Sequence, residues 1–88
     1  MIWTIVYRPG LLKSIRKLDN KTQESVRNYL EKIANTKNPE DFGKPLSGNL
    51  KGFWRYRVGD YRIVCDIIKK ELVILLIEVE HRSRVYKN

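Results

Sequence analysis

Hydrophobic and polar residues alternate with two different periods along this chain, and each period predicts a different kind of element. Residues 2–7 are rich in β-branched and aromatic side chains, which predicts a short strand. Apolar side chains recur every three or four positions in residues 11–18 and again in residues 26–33, which predicts two amphipathic helices. Because Asp19 and Asn20 can end the first helix and begin the second, the link is short and we expect an antiparallel helical hairpin.

A loop and three further strands are predicted in the second half of the chain. Residues 35–52 hold two of the three prolines and three of the five glycines, so they predict a loop, with one helical turn near residues 39–42. The strands span residues 53–58, 61–68 and 72–79. Gly59 followed by Asp60 is typical of a two-residue type II′ hairpin turn.

These elements predict a single α+β domain over residues 1–88. Their order is a strand, a two-helix hairpin and a three-strand antiparallel meander. One sheet with the helices packed on one face satisfies that order, because each element then buries its apolar side.

The hairpin turn fixes which side chains share a face of the sheet. With Gly59 and Asp60 as the two loop residues, Arg57 faces Arg62 across the strands, and Arg55 lies on the same face. Like charges directly opposite each other destabilise a sheet. The face away from the helices is therefore predicted to bind an anion, which removes the repulsion. A solvated face on which Asp66 takes up part of the charge is the alternative.

The polar tail carries further candidate groups. Arg82 and Arg84 follow the last predicted strand and can reach the arginine face. Tyr86 offers a phenol and an aromatic ring, and His81 has the one side chain whose ordinary pKa lies near 7. We predict that His81 joins the arginines, although a solvated surface histidine is the alternative.

Composition narrows the classes of protein. Lys and Arg number 18 against 10 Asp and Glu, a formal charge of +8. This excess favours a polyanion such as nucleic acid, or an acidic protein, as the partner; a surface charged for solubility is the alternative. One cysteine and one histidine can build neither an internal disulfide nor a zinc site. No basic leader precedes the first apolar run, and residues 72–77, the longest such run, fall far short of the ~20 residues of a membrane span. We expect a cytoplasmic protein without a membrane segment, metal or cofactor.

The candidate groups match the needs of RNA cleavage without a metal. That reaction requires removal of the 2′-OH proton, stabilisation of charge at phosphorus and protonation of the leaving 5′-oxygen. Arginines supply the second need but are poor bases, because their pKa exceeds about 12. Tyr86 or His81 is predicted to transfer the proton. The sequence contains no nucleophile elbow, phosphate-binding glycine loop or zinc spacing, and no carboxylate pair is expected.

Three stretches together resemble the RelE toxins of the RelE/ParE superfamily: Pro45-Leu46-Ser47-Gly48, residues 52–64 (GFWRYRVGDYRIV), and His81-Arg82 through Val85-Tyr86. The resemblance implies the small toxin fold and a ribosome-dependent endoribonuclease that cuts mRNA in the A site of the 30S subunit. It also implies a cognate RelB-like antitoxin, through which alone the pair binds operator DNA.

The resemblance also implies roles for individual residues. Arg55 and Arg57 fall where RelE-type toxins place basic residues beside the scissile phosphate, one of them often a lysine acting as general base. Arg62 matches the arginine that stabilises the phosphate, Arg82 the one that acts at the leaving oxygen, and Tyr86 the tyrosine that stacks on the nucleotide. Ser47 stands where some members carry an RNA-contacting arginine. Further RNA contacts are predicted for Lys51, Phe53 and Arg84.

Two other functions stay open at this level. The ParE branch of the superfamily shares the fold but inhibits DNA gyrase and needs no nuclease site. A basic nucleic-acid-binding module without activity is the second alternative. The joint presence of the four arginines and Tyr86 favours the nuclease.

Overall fold

The computed structural model describes residues 2–85, and only the backbone of Arg84 and Val85. The strands are β1 Thr4–Tyr7, β2 Lys44–Pro45, β3 Trp54–Val58, β4 Tyr61–Ile68 and β5 Val73–His81, and the helices are α1 Leu11–Ile15, α2 Asn20–Ala34 and α3 Arg82–Val85. Two 3₁₀ turns, Pro39–Phe42 and Gly48–Leu50, lie in the long loop. The first of these is the helical turn that the sequence predicted.

The strands form one five-stranded mixed sheet in the order β1-β5-β4-β3-β2. The antiparallel meander β3-β4-β5 occupies its centre, as predicted. β1 adds to one edge, parallel to β5, and the two-residue β2 adds to the other edge, antiparallel to β3. The predicted α+β architecture is therefore confirmed, and the pairing of β1 and β2 completes it.

The hydrophobic core lies between the helices and one face of this sheet. Leu30 and Ile33 of α2 are fully buried against Ile63 and Cys65 of β4 and Tyr56 of β3. Burial raises the pKa of the Cys65 thiol to about 12, so this cysteine is a core side chain and a weak nucleophile. Burying each large apolar side chain contributes roughly 1.5–3 kcal/mol, and this face supplies most of the driving force for folding.

The C-terminal ends of α1 and β5 differ from the sequence prediction by two or three residues, and β1 begins at Thr4 instead of residue 2. α1 ends at Ile15 instead of residue 18, and the side-chain amide of Gln23 donates hydrogen bonds to the carbonyls of Arg16 (3.2 Å) and Leu18 (2.7 Å). These bonds satisfy carbonyls that a longer helix would have paired. β5 continues to His81 instead of stopping at residue 79, because the two polar residues at its end still pair with β4.

The long loop covers part of the sheet face that the helices leave open. Leu46 and Leu50 approach Val64, which is only 8% exposed although it lies on that face. The Tyr56 hydroxyl holds the start of the loop by donating a buried hydrogen bond of 2.8 Å to the carbonyl of Pro39. The predicted open face is therefore open only in part. Among residues 2–85, no helix combines the length and the apolar character needed to cross a membrane.

Gly43 fixes the end of this loop against the sheet. A Cβ at Gly43 would lie 2.8 Å from the Tyr56 ring and 3.0 Å from the carbonyl oxygen of Arg55. We predict that Gly43→Ala lowers the free energy of unfolding by about 1–3 kcal/mol through this overlap. A thermal melt followed by circular dichroism measures it, with Asn49→Ala in an exposed part of the same loop as control. An unchanged melting temperature would show that the loop adapts and is not held by Tyr56.

Candidate anion-binding site

The β3–β4 hairpin positions the arginines. Gly59 has φ +58°, and Leu72 is the one non-glycine residue with positive φ among those described, so Asp60 follows Gly59 with ordinary φ, as a type II′ turn requires. This turn sets the register predicted from the sequence, in which Arg57 lies directly opposite Arg62 and Arg55 opposite Val64.

Four of the predicted site residues meet in one cleft of about 330 Å³. It lies at the hairpin end of the sheet, between the long loop and the start of α3. We call it the arginine cleft; it is lined by Phe42, Gly43, Lys44, Arg55, Arg57, Asp60, Tyr61, Arg62 and Arg82. Five cationic side chains and one carboxylate make it a site for an anion with several oxygens, because guanidinium groups bind phosphate bidentately.

Arg82 reaches the cleft because α3 begins directly after β5. Its backbone N–H donates a 2.7 Å hydrogen bond to the carbonyl of Asp60, and its Nη1 lies 3.8 Å from Asp60 Oδ1. Both side chains are more than half exposed, and such ion pairs contribute at most about 1 kcal/mol. A phosphate can therefore displace the Asp60 carboxylate from Arg82 at little cost.

Lys44 is a cleft residue that the sequence analysis missed. It lies on β2 directly opposite Arg55 and lines the cleft. β2 has only two residues, one of them a proline, so neither periodicity nor composition predicts it. Its pairing with β3 depends on the path of the whole loop.

A carboxylate pair, which the sequence analysis did not expect, lies beside the arginines. Glu80 of β5 is directly opposite Arg62, and Glu78 is opposite Val64. Together with Arg55 and Arg62 they line a second, smaller space of about 130 Å³, which we call the side cavity; Leu46, Leu50 and Val64 complete it. The spacing of two residues was visible in the sequence, but the predicted strand ended between the two glutamates.

The two carboxyl groups influence each other. Burial, followed by a hydrogen bond and charge repulsion from Glu80, raises the pKa of Glu78, whereas the charge of Arg8 lowers it. Burial and the neighbouring carboxylate therefore both favour the protonated form of Glu78.

His81 does not join the arginines, which corrects our expectation. It pairs with Tyr61 across β4 and β5, and their rings meet edge to face with centroids 5.1 Å apart. The backbone N–H of Ser83 donates to its Nδ1 at 3.1 Å. Side chains alternate between the two faces of a strand, so with Glu80 beside the arginines His81 must point to the helix side, where Lys21 and Thr22 are neighbours.

The remaining predicted site residues either do not line the arginine cleft or lie outside the described part of the chain. Lys51 is exposed after the second 3₁₀ turn. Phe53 is half-buried just before β3, and its carbonyl accepts a hydrogen bond from Leu46. Neither lines the arginine cleft. The side chain of Arg84 and all of Tyr86 lie outside the described residues. Within residues 2–85, no three His, Cys, Asp or Glu side chains gather closely enough to hold a metal ion.

The model of one known protein family matches most of this chain. A family model described as the ParE toxin of the type II toxin–antitoxin system, parDE, matches residues 5–86. No curated protein sequence matches the chain.

Solved structures share the fold. The toxin–antitoxin complex RelBE2 from Mycobacterium tuberculosis matches with a TM-score of 0.80 at 23% identity, over 93% of this chain and 100% of that one. The isolated E. coli RelE toxin matches with a TM-score of 0.74 at 24% identity, over 96% and 90% of the two chains. The RelE–RelB complex from Pyrococcus horikoshii matches with a TM-score of 0.74 at 20% identity, over 96% and 99%.

The arginine cleft predicts an unusual response to losing a charge. We expect Arg57→Ala to keep or slightly raise the free energy of unfolding, by up to about 1 kcal/mol, because it removes a like-charge pair with Arg62. The variant should also lose part of the stabilisation that sulfate gives the parent chain. Thermal melts in sodium sulfate and in sodium chloride at equal ionic strength measure both effects.

Lys70→Ala, at an exposed position in the β4–β5 turn, is the control with the same change of net charge. It corrects for the general stabilising action of sulfate on folded proteins. Equal sulfate responses in the two variants would show that Arg57 takes no part in anion binding.

Proposed function

Because this chain belongs to the ParE toxin family and is a toxin of a type II toxin–antitoxin system, we propose that it poisons translation as a metal-independent endoribonuclease that cleaves mRNA in the ribosomal A site. The observation that carries the proposal is the arginine cleft, in which Arg55, Arg57, Arg62 and Arg82 meet. A nuclease needs such a cluster of charges, whereas inhibition of a protein by surface binding does not.

The cleft suits the transition state of RNA cleavage better than its ground state. In the proposed reaction the 2′-oxygen attacks the neighbouring phosphorus, the bond to the 5′-oxygen breaks, and a 2′,3′-cyclic phosphate and a 5′-hydroxyl are formed. Charge builds up on the phosphoryl oxygens as the fifth bond forms. Arg57 and Arg62, fixed opposite each other on a rigid hairpin, are arranged before the reaction to stabilise that charge, which is the most effective form of electrostatic catalysis.

In this proposal, residues of the C-terminal tail act on the leaving group and bind the nucleotide. Arg82 enters the cleft from the start of α3 and is proposed to stabilise the departing 5′-oxygen. Tyr86, outside the described residues, is proposed to stack on a base, and Lys51, Phe53 and Arg84 remain proposed RNA contacts outside the cleft.

The composition of the cleft also supports dependence on the ribosome. Arginine contacts to phosphate fix the position of a nucleic acid but do not read its sequence. The cleft is lined mainly by charged side chains, so an accessory surface has to present the strand in the reactive geometry. Ribosome-bound mRNA is a cytoplasmic substrate, so the proposal implies a cytoplasmic location.

A cognate antitoxin is the expected protein partner. The related structures from M. tuberculosis and P. horikoshii are toxin–antitoxin complexes, and so is a further structure that shares the fold, the intact E. coli RelBE complex. For this chain we propose a RelB-like antitoxin with an acidic segment, because the net charge of +8 attracts such a segment and fixes its orientation. Operator DNA is proposed to bind only through the antitoxin.

Inhibition of DNA gyrase is the second candidate function. It is favoured by the description of the matching family model, which is that of ParE toxins. In that case the arginine cleft would contact a protein or have no role.

Cleavage of mRNA on programmed ribosomes tests the main proposal. We expect the parent chain to cut the A-site codon in single-turnover assays, and Arg57→Ala and Arg82→Ala each to lower the rate about 10²–10³-fold, the range for loss of one group that stabilises transition-state charge. Lys70→Ala, away from the cleft, should cleave normally. A gyrase supercoiling assay runs in parallel. Supercoiling inhibited by the parent chain, with mRNA intact, would replace the nuclease proposal by the gyrase one.

The antitoxin proposal has its own test. The short open reading frame adjacent to the gene should encode an acidic partner, and adding that partner to the toxin should abolish cleavage at near-equal amounts, because binding covers the arginine cleft or displaces the tail. Titration of the cleavage assay measures this. A partner that binds tightly while cleavage continues would contradict inhibition at the site.

A further inference from the structure

Proton removal from the 2′-hydroxyl is not explained by the arginine cleft. Arginine stays protonated up to about pH 12 and cannot act as a base near neutrality. His81 lies on the helix side of the sheet, paired with Tyr61. The arginine face also carries carboxylates, which accept protons when they are ionised.

Glu80 is the carboxylate that the sheet brings to the arginines. It lies directly opposite Arg62, which is itself opposite Arg57, so the three residues form one row across β5, β4 and β3. Neighbouring strands are about 4.8 Å apart, and the carboxylate is therefore within side-chain reach of a phosphate held between the two arginines. Asp60 is the other carboxylate near the cleft, but it sits at the exposed turn and contacts Arg82.

The side cavity next to this row fits a sugar. It measures about 130 Å³, small beside the roughly 300–1,000 Å³ of pockets that hold a whole small-molecule ligand. Leu46, Leu50 and Val64 offer apolar contact, and Glu78 and Glu80 offer hydrogen-bond acceptors. Carboxylates are the groups that proteins use to bind ribose hydroxyls. Arg55 and Arg62 line both the arginine cleft and the side cavity, so a phosphodiester bound to them has its neighbouring ribose at the side cavity.

We propose that the side cavity holds the ribose on the 5′ side of the scissile phosphate and that Glu80 is the general base that takes its 2′-OH proton. This inference rests on the proposed nuclease function and adds a sugar subsite and a catalytic residue to it. The 2′-oxygen gives its proton to Glu80 and forms a bond to phosphorus. The bond from phosphorus to the 5′-oxygen breaks, and that oxygen takes a proton from water. Glu80 then returns its proton to solvent.

The charges around Glu80 favour this assignment. Arg62 faces it from β4, and Arg55 from β3 shares the side cavity. Arg8, after β1, and Lys17, after α1, border it on the outer side of β5. Among the described residues that line the side cavity, Glu78 is the acidic neighbour of Glu80, and the four cationic side chains outnumber it.

Glu80→Gln tests the proposal, because it keeps the size and hydrogen bonding of the side chain but cannot accept a proton. We expect the single-turnover cleavage rate on programmed ribosomes to fall about 10²–10⁴-fold, the range for general base catalysis. Binding of an uncleavable mRNA with 2′-deoxyribose at the cut position should not weaken. The parent chain should lose rate as the pH falls and a carboxylate base becomes protonated, and the variant should lack this limb.

A sulfur substitution separates a base from an acid. A substrate with sulfur in place of the leaving 5′-oxygen needs no proton on departure, so it would restore a variant that lacks the general acid. Glu80→Gln should stay slow on it. Glu80→Asp keeps the charge on a shorter side chain and should retain the pH limb at a reduced rate. This variant therefore tests the assignment even if Glu80→Gln folds poorly.

One control variant and several contrary outcomes decide whether Glu80 is the base. Glu71→Gln, at an exposed position in the β4–β5 turn, should cleave like the parent chain. Three outcomes would each overturn the assignment while leaving the nuclease function intact. They are normal cleavage by Glu80→Gln, rescue of that variant by the sulfur substrate, and a loss confined to RNA binding. A pH limb that vanishes in Asp60→Asn or His81→Ala but persists in Glu80→Gln would assign the base to that residue instead. A parent chain without nuclease activity would refute the function and the assignment together.

Discussion

Arg57 and Arg62 lie directly opposite each other on a rigid hairpin, and the rest of the molecule has to hold them there. A cross-strand pair of like charges costs roughly 0.2–1 kcal/mol. The other side of the same two strands buries Tyr56, Ile63 and Cys65 completely, each worth more than the repulsion costs. The sheet can therefore keep a charge cluster on one face because the opposite face is a hydrophobic core. The phosphate that we propose as ligand would relieve this cost on binding.

The alternation of side chains along a strand sorts the candidate chemistry between the two faces. In β5, Glu78 and Glu80 belong to the face of the arginines, and His81 belongs to the helix side. A shift of one residue in the β4–β5 register would exchange them. The irregularity between Val64 and Cys65, where the pairing changes register, is thus part of what decides which titratable group can reach a bound substrate. Function here depends on strand register as much as on the identity of the residues.

The fold alone does not separate the two activities associated with this superfamily. The structures that match this chain are at most 24% identical to it among those compared above, and that level of similarity supports only the fold. What distinguishes the candidates is the chemistry of one cleft. The cleft brings together five cationic side chains from four separate elements, β2, β3, β4 and the start of α3, which is more charge than a sheet needs for solubility.

The amino-acid sequence was sufficient to predict the elements that depend on local pattern. Helical periodicity predicted the two helices, and the alternation in β3 and β4 predicted the core face of the meander. The Gly59-Asp60 turn predicted the pairing of Arg57 with Arg62, because a two-residue turn leaves only one register. The tertiary structure alone decided what depends on distant segments. Lys44 reached the cleft through a two-residue strand that no periodicity predicts, and β1 paired with β5 across most of the chain. Glu80 and His81 lie on opposite faces because β5 extends two residues beyond its apolar pattern. Their backbone groups pair with β4, and the energy of that pairing cannot be inferred from the sequence of β5 alone.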